Sequence, residues 1–128
     1  MITRFSAVAI YITDQRKAVD FYVNKLGMEL LHDIPGGYGE EGGENTNWVE
    51  VAPTGSATHI SLTPAAFAGK EPGGNAPLLM QCDNAEATAA DLKAKGVEIS
   101  HEVETQDWGT YFQFKDPDGN EYLVSQES

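Results

Sequence analysis

The chain is short of cysteine, short of basic residues and free of long apolar runs, and each shortage removes a class of protein. Cys82 is the only cysteine among 128 residues, so neither an internal disulfide framework nor a cysteine-rich zinc site can be built. Lys and Arg together number 8 against 20 Asp and Glu, a net charge of −12. That balance is the reverse of the basic footprint that binds phosphate backbones, which argues against nucleic acid, and it disfavours anionic membrane surfaces. No stretch approaches the length of a transmembrane helix. The apolar run from Ala7 to Ile12 is too short for the core of a signal peptide, and Asp14 follows almost at once. No GxxxxGK followed by Ser or Thr is present, which closes the phosphate-loop reading.

What is there is enough for one folded domain. Apolar residues make up 41% of the chain, ample for a core, and the length suits a single domain over residues 1–128. A cytoplasmic protein is expected. The acidity serves solubility first, and it would also welcome a cationic ligand.

The chain reads as two related halves. With a shift of about 69 residues, Asp14 falls on Asp83, Ala18 on Ala87, Gly27 on Gly96 and His32 on His101. Residue identity is sparse, but the order of physical signals repeats. Each half opens with a strand: Val8, Ile10 and Ile12 alternate with Ala7, Ala9 and Tyr11, and Leu78, Met80 and Cys82 alternate with Pro77, Leu79 and Gln81. A helix follows each. Asp14 or Thr13 is the expected N-cap of the first, with Ala18, Phe21 or Tyr22, and Lys25 or Leu26 as its stripe. Asp83 is the expected N-cap of the second, with Glu86 completing a capping box. Gly27 and Gly96 close the helices after Lys25 and Lys95. Three short strands then follow in each half, divided by turn chemistry at Pro53-Thr54-Gly55 and at Asp116-Pro117-Asp118-Gly119-Asn120. Each half is thus a βαβββ module: one sheet, a helix on one face, and the other face free to curve around a ligand. Module one runs over about residues 4–63, a linker over about 64–76 and module two over about 77–126. The Gly-rich acidic segment 36–47 reads as a surface loop or the mouth of a cavity.

The repeat, the helix with Asp14, Ala18, Phe21, Tyr22, Leu26 and Gly27, and the ending WGTYFQFKDPDGNEYLV resemble the vicinal oxygen chelate superfamily, which includes glyoxalase I, bleomycin-resistance proteins, fosfomycin-resistance enzymes and extradiol dioxygenases. The resemblance covers about residues 4 to 126. It implies an α+β fold of two curved mixed sheets, each with a helix on its convex face, forming a concave cup. It also implies a divalent metal held by strand residues, at positions that here are Ala7, Ser61, Pro77 and Leu123. Three of these have no donor atom and Ser is a poor ligand. The expectation is therefore a metal-free branch with no cofactor, His59 and Glu121 being the nearest candidates for a displaced metal site.

Alternation assigns the cup lining. If Val8, Ile10, Ile12, Val49, Val51, Ile60, Leu62, Phe112 and Phe114 pack beneath the helices, then Ala7, Ala9, Tyr11, Trp48, Glu50, His59 and Ser61 face the cup from module one. Leu79, Gln81, Tyr111, Gln113, Leu123 and Ser125 face it from module two, with Trp108 near the mouth. The candidate ligand-binding set is Tyr11, Trp48, Glu50, His59, Ser61, Gln81, Trp108, Tyr111 and Gln113. A strand histidine ordinarily bonds a neighbour, and strand aromatics ordinarily pack. Aromatics on a concave face also suit flat or cationic ligands, and imidazoles titrate in general near about 6.5, where acid–base work at neutral pH is done. His32 and His101 read as surface histidines, and Cys82 and Met80 as buried residues. The leading function is a metal-independent small-molecule binding protein sequestering an aromatic or cationic compound. The alternative is a lyase, isomerase or dioxygenase-like enzyme using His59 and Glu50 as acid and base or as displaced metal ligands. A homodimer is expected, because open sheet edges favour association.

Overall fold

The computed structural model describes residues 1–38 and 46–128, so most of the 36–47 loop reading falls outside the described residues. The fold is mixed α+β, with two mixed sheets. The chain divides into two compact units, Met1–Pro72 and Gly73–Ser128. Among the described residues no helix is long and apolar enough to cross a membrane.

The first unit runs β1 (Ala7–Ile12), α1 (Gln15–Val19, continuing as a π-helical segment Asp20–Lys25), β2 (Glu29–Ile34), β3 (Trp48–Ala52), β4 (His59–Pro64) and α2 (Ala65–Ala68). Its sheet has the order β1-β4-β3-β2. The β1–β4 pair is parallel and the others antiparallel. Ile10, Ile12, Val49, Val51, Ile60 and Leu62 are buried as expected, Val8 is only half-buried, and Glu50, Ala52, Ser61 and Thr63 on the same strands are buried as well; α1 packs on β4. Burying these β-branched and leucine side chains supplies the hydrophobic drive of the unit, at about 1.5–3 kcal/mol each.

The second unit repeats the order as β6 (Met80–Cys82), α3 (Ala85–Ala94), β7 (Glu98–Gln106), β8 (Gly109–Lys115) and β9 (Asn120–Gln126), preceded by β5 (Gly74–Asn75). Strands β5 and β6 both run parallel to β9, one beside its start and the other beside its end. Phe112, Phe114, Tyr122 and Val124 are buried, and α3 packs across β7, β8 and β9. The turn between β8 and β9 is built on Asp116. One carboxylate oxygen accepts from the backbone N–H groups of Asp118 and Asn120, at 2.9 and 2.8 Å, and the other from the Asn120 amide at 2.8 Å. Asn120 in turn accepts from Gly73 N–H at 3.0 Å. Gly73 has φ of +104°, a conformation that strains any other residue, and an added Cβ would also lie a tight 3.2 Å from the Asp118 carbonyl oxygen.

Four local expectations need correction. Asp14 does cap α1, accepting from Lys17 N–H at 3.1 Å, but α3 is capped by Asn84, which accepts from Ala87 N–H at 3.0 Å, and not by Asp83. From N-cap to closing glycine, the first helix is therefore one residue longer than the second. The extra residue is absorbed as a π turn, in which Leu26 N–H reaches back to the Phe21 carbonyl at 3.1 Å. Adjacent Phe21 and Tyr22 are both buried there, edge to face with centroids 5.3 Å apart. The segment read as a linker is ordered: Ala65–Ala68 forms a helical turn closed by left-handed Gly69, and Gly74–Asn75 adds a strand. Finally, Met80 and Cys82 are half-buried, since β6 lies on the outside of its sheet and pairs with β9 alone.

Gln15 carries a role that no periodicity could announce. It is buried, and its amide donates to the carbonyls of Asn47 at 2.7 Å and Leu62 at 3.2 Å while its carbonyl accepts from Asn47 N–H at 3.1 Å. One side chain thus ties the start of α1 to the entry of β3 and the end of β4. Gln15→Ala should lower the unfolding free energy by about 1–3 kcal/mol, because it strands buried backbone groups. A urea melt of the two proteins checks this, and an unchanged midpoint would contradict it.

Candidate functional site

Each unit has a sheet face opposite its helix, and the candidate residues divide between these two faces. Tyr11, Trp48, Glu50, His59 and Ser61 lie on the first sheet; Gln81, Trp108, Tyr111 and Gln113 belong to the second unit.

On the first sheet, β3 and β4 bring three of the candidates into one hydrogen-bonded row. Glu50 is buried, and both its carboxylate oxygens are used. The Trp48 indole N–H donates to Oε2 at 2.5 Å, and His59 Nδ1 lies 2.8 Å from Oε1. Burial alone would push the Glu50 carboxyl up. The hydrogen bonds from His59 and Trp48, helped by the field of His32 and His59, outweigh it and hold the group below the usual carboxylate range. Glu50 is therefore an anion at neutral pH, set among aromatic neighbours. His32, read as a surface histidine, is exposed but stands opposite Glu50 in the β2–β3 register.

Ser61, one strand position along the same face from His59, is buried and leads to a residue the sequence reading missed. Tyr38 reaches over the sheet from the connection after β2. Its hydroxyl lies 2.9 Å from Ser61 Oγ and 3.1 Å from Thr63 Oγ1. Its ring stacks on Trp48, centroids 5.2 Å apart, and meets Phe67 edge-on at 4.9 Å. Gly37 allows this approach, since a Cβ there would lie 2.5 Å from Trp48 Cβ. Neither Tyr38 nor Phe67 lies in a strand, so alternation could not place them. Tyr11 is half-buried and stands opposite Thr63 in the β1–β4 register.

The second sheet carries a comparable aromatic cluster with a carboxylate beside it, Glu104 Oε1 lying 3.5 Å from His101 Nε2 and Glu104 standing opposite Tyr111. Tyr111 stacks on His101, centroids 5.0 Å apart, and lies beside Trp108 at 5.0 Å. His101 is thus more than a surface histidine: its Nδ1–H donates to the Glu102 carbonyl at 2.7 Å, leaving Nε2 to face the Tyr111 hydroxyl at 3.3 Å. Gln113 pairs with His101 and Leu123 across the strands, where the first unit has Glu50 between His32 and Ser61. Trp108 is 61% exposed. Gln81 is exposed on β6, opposite Ser125. Cys82 is a free thiol that burial pushes up, against a hydrogen bond from Thr88, so it is a poor nucleophile.

At the four positions where the resemblance implies metal ligands, Ser61 alone has a donor atom, and Tyr38 is bonded to it. Among the described residues no group of three or more His, Cys, Asp or Glu side chains is placed to hold a metal ion. The described donor set does not fit a divalent cation.

Comparison with known proteins now fixes the family. The Glyoxalase/Bleomycin resistance protein/Dioxygenase superfamily model matches residues 4–123, and the chain belongs to that superfamily. It is 34% identical over 126 residues to the protein YetH of Bacillus subtilis (strain 168), covering 98% of this chain and 100% of that one. Among solved structures it is similar to a member of the same superfamily from Sphaerobacter thermophilus DSM 20745, with 29% identity, a TM-score of 0.86 and 98% of each chain covered. It is also similar to TnmS3, an antibiotic binding protein from Streptomyces sp. CB03234, with 34% identity, a TM-score of 0.83, and 99% of this chain and 98% of that one covered.

A pH titration tests the Glu50 row. A carboxyl held low in the folded protein contributes stability above the ordinary carboxylate range, and loses it as pH falls through its folded value. Glu50→Gln should therefore cost stability at neutral pH and narrow its deficit against the parent on acidification toward pH of about 3. Equal deficits at every pH would show that Glu50 is not held as a bonded anion.

Proposed function

We propose that the protein is a small-molecule binding protein of the bleomycin-resistance type, which sequesters an aromatic or cationic compound without using a metal ion. The observation that carries this reading is the row on the first sheet, where a buried anionic Glu50 is fixed by Trp48 and His59 beside an aromatic wall. An aromatic face next to a desolvated carboxylate attracts a flat cation through the ring quadrupole and the charge together. The net charge of −12 would draw such a ligand from solution. Similarity to an antibiotic binding protein supports the same reading, and a cytoplasmic location is part of the proposal.

A second reading has one observation in its favour. The 2.8 Å bond between His59 and Glu50 is the arrangement in which a carboxylate orients an imidazole for general acid–base catalysis. A lyase or isomerase turnover lost in His59→Ala would establish it.

Fluorescence titration with 9-aminoacridine, a planar cation, and uncharged acridone tests the first reading, with EDTA present throughout. The cation should bind and quench tryptophan emission. Trp48→Ala should weaken binding by about tenfold or more, and Glu50→Gln should weaken the cation while sparing the uncharged ring. Dissociation constants above about 1 mM for both compounds, or binding indifferent to Trp48, would sink it.

We further propose a homodimer. Strand β2 ends the first sheet, and its Leu30, Leu31 and Ile34 are 41, 37 and 52% exposed. An apolar sheet edge of this kind invites a second copy. Light scattering should give twice the 13.9 kDa chain mass, reverting to the single-chain mass in Leu31→Lys. A monomer in the parent protein would refute the dimer.

A further inference from the structure

The side chain of Tyr38 is bound to the first sheet as a ligand would be. Its ring is held on one face by Trp48 and along an edge by Phe67, and its hydroxyl is shared between Ser61 and Thr63. The two floor hydroxyls are 3 and 5% exposed in residue terms and lie 3.2 Å from one another. Buried hydroxyls on a sheet are costly unless partnered, and a pair aimed at one point forms a small receptor for a third hydroxyl. Stacking, an edge contact and a doubly bonded hydroxyl together make a complete recognition set for a phenol. The occupant arrives from a connection between strands. It is brought close by Gly37, which a Cβ would drive into Trp48. The backbone of Tyr38 is itself held, its N–H donating to the Thr46 carbonyl at 2.8 Å, so the ring clears the sheet by rotation of the side chain alone.

We propose that this pocket recognises a hydroxylated aromatic ring, and that Tyr38 is its built-in competitor, leaving when a ligand phenol takes its place on Trp48. The proposal rests on the first sheet being the binding face, and it adds the chemistry of the ligand and a residue that sets its threshold. Tyr38 lowers the apparent affinity of every ligand by the fraction of time it fills the pocket. Ligands able to hydrogen-bond Ser61 and Thr63 are favoured over those that only stack, because a ring without a hydroxyl leaves the floor pair with only its mutual 3.2 Å contact and the long 3.3 Å bond from Thr63 Oγ1 to the Ser61 carbonyl.

The test uses 4-methylphenol, which is the tyrosine side chain as a free molecule, and toluene, which lacks only the hydroxyl. Tyr38→Ala should bind 4-methylphenol at least about tenfold more tightly than the parent and show a matching rise in melting temperature. The same variant should prefer 4-methylphenol to toluene by roughly fivefold to tenfold, and Tyr38→Ala/Ser61→Ala/Thr63→Val should lose that preference. If Tyr38→Ala does not fold, Tyr38→Phe keeps the ring and removes only the hydroxyl anchor, and its affinity for 4-methylphenol should still exceed that of the parent. A folded Tyr38 variant that binds 4-methylphenol no better than the parent, or that does not distinguish it from toluene, would overturn the proposal. The acridine titration separates this from the broader reading. Tight acridine binding with no gain in the Tyr38 variants would leave the sequestering role standing and remove Tyr38 as competitor. Phenol binding in the variant without any acridine binding in the parent would do the reverse.

Discussion

Burial of Val49, Val51, Ile60 and Leu62 in the core of the first unit is the constraint from which the candidate site follows. A strand sends successive side chains to opposite faces, so fixing these four downward leaves Trp48, Glu50, His59 and Ser61 no choice but the other side. The register between β3 and β4, Glu50 opposite Ser61 and Val51 opposite Ile60, then brings residues distant in sequence within bonding reach. The polar chemistry of the face is thus held by an apolar layer that never touches it. Glu50 needs that rigidity: a buried carboxylate is tolerable only while both its oxygens keep their donors.

The helices show what a repeat can hide. Aligning the halves on their aspartates and glycines gives equal helices, with Asp83 in the place of Asp14. The chain instead starts α3 one residue later, on Asn84, and the surplus residue in the first helix becomes a π turn carrying Phe21 and Tyr22. Two neighbouring cap-competent residues, Asp83 and Asn84, make the start of α3 ambiguous from sequence, because both side chains can accept from a first-turn N–H. The strand order and the closing glycines were legible, since hydrophobic alternation and left-handed termini leave direct marks in the residue pattern.

The candidate site was legible only where it lies on strands. Trp48, Glu50, His59 and Ser61 could be assigned to one face by counting in twos. Tyr38, Thr63, Phe67 and Gln15 were not found, for separate reasons. Tyr38 and Phe67 come from a connection and a short helix, whose direction follows from tertiary contacts rather than from periodicity. Thr63 sits on the right face but next to Pro64, which reads as the edge of a linker. Gln15 is a polar residue at a helix start, indistinguishable in sequence from a solvated one. Metal ligation, in contrast, could be weighed at once, because Ala, Pro and Leu lack donor atoms whatever the geometry.

The parallel pairing of each unit's last strand with strands that precede it in the chain, β4 with β1 and β9 with β5 and β6, bears on how the chain is made. A polypeptide leaves the ribosome from its N-terminus, and neither sheet can be closed until its final strand has emerged. Hairpins such as β7–β8 can form as they appear, but β1 must wait for β4, and β5 and β6 must wait for β9. Each unit is therefore committed late in its own translation, with an unzipped edge exposed in the meantime, which is the interval when nascent strands are most open to mispairing.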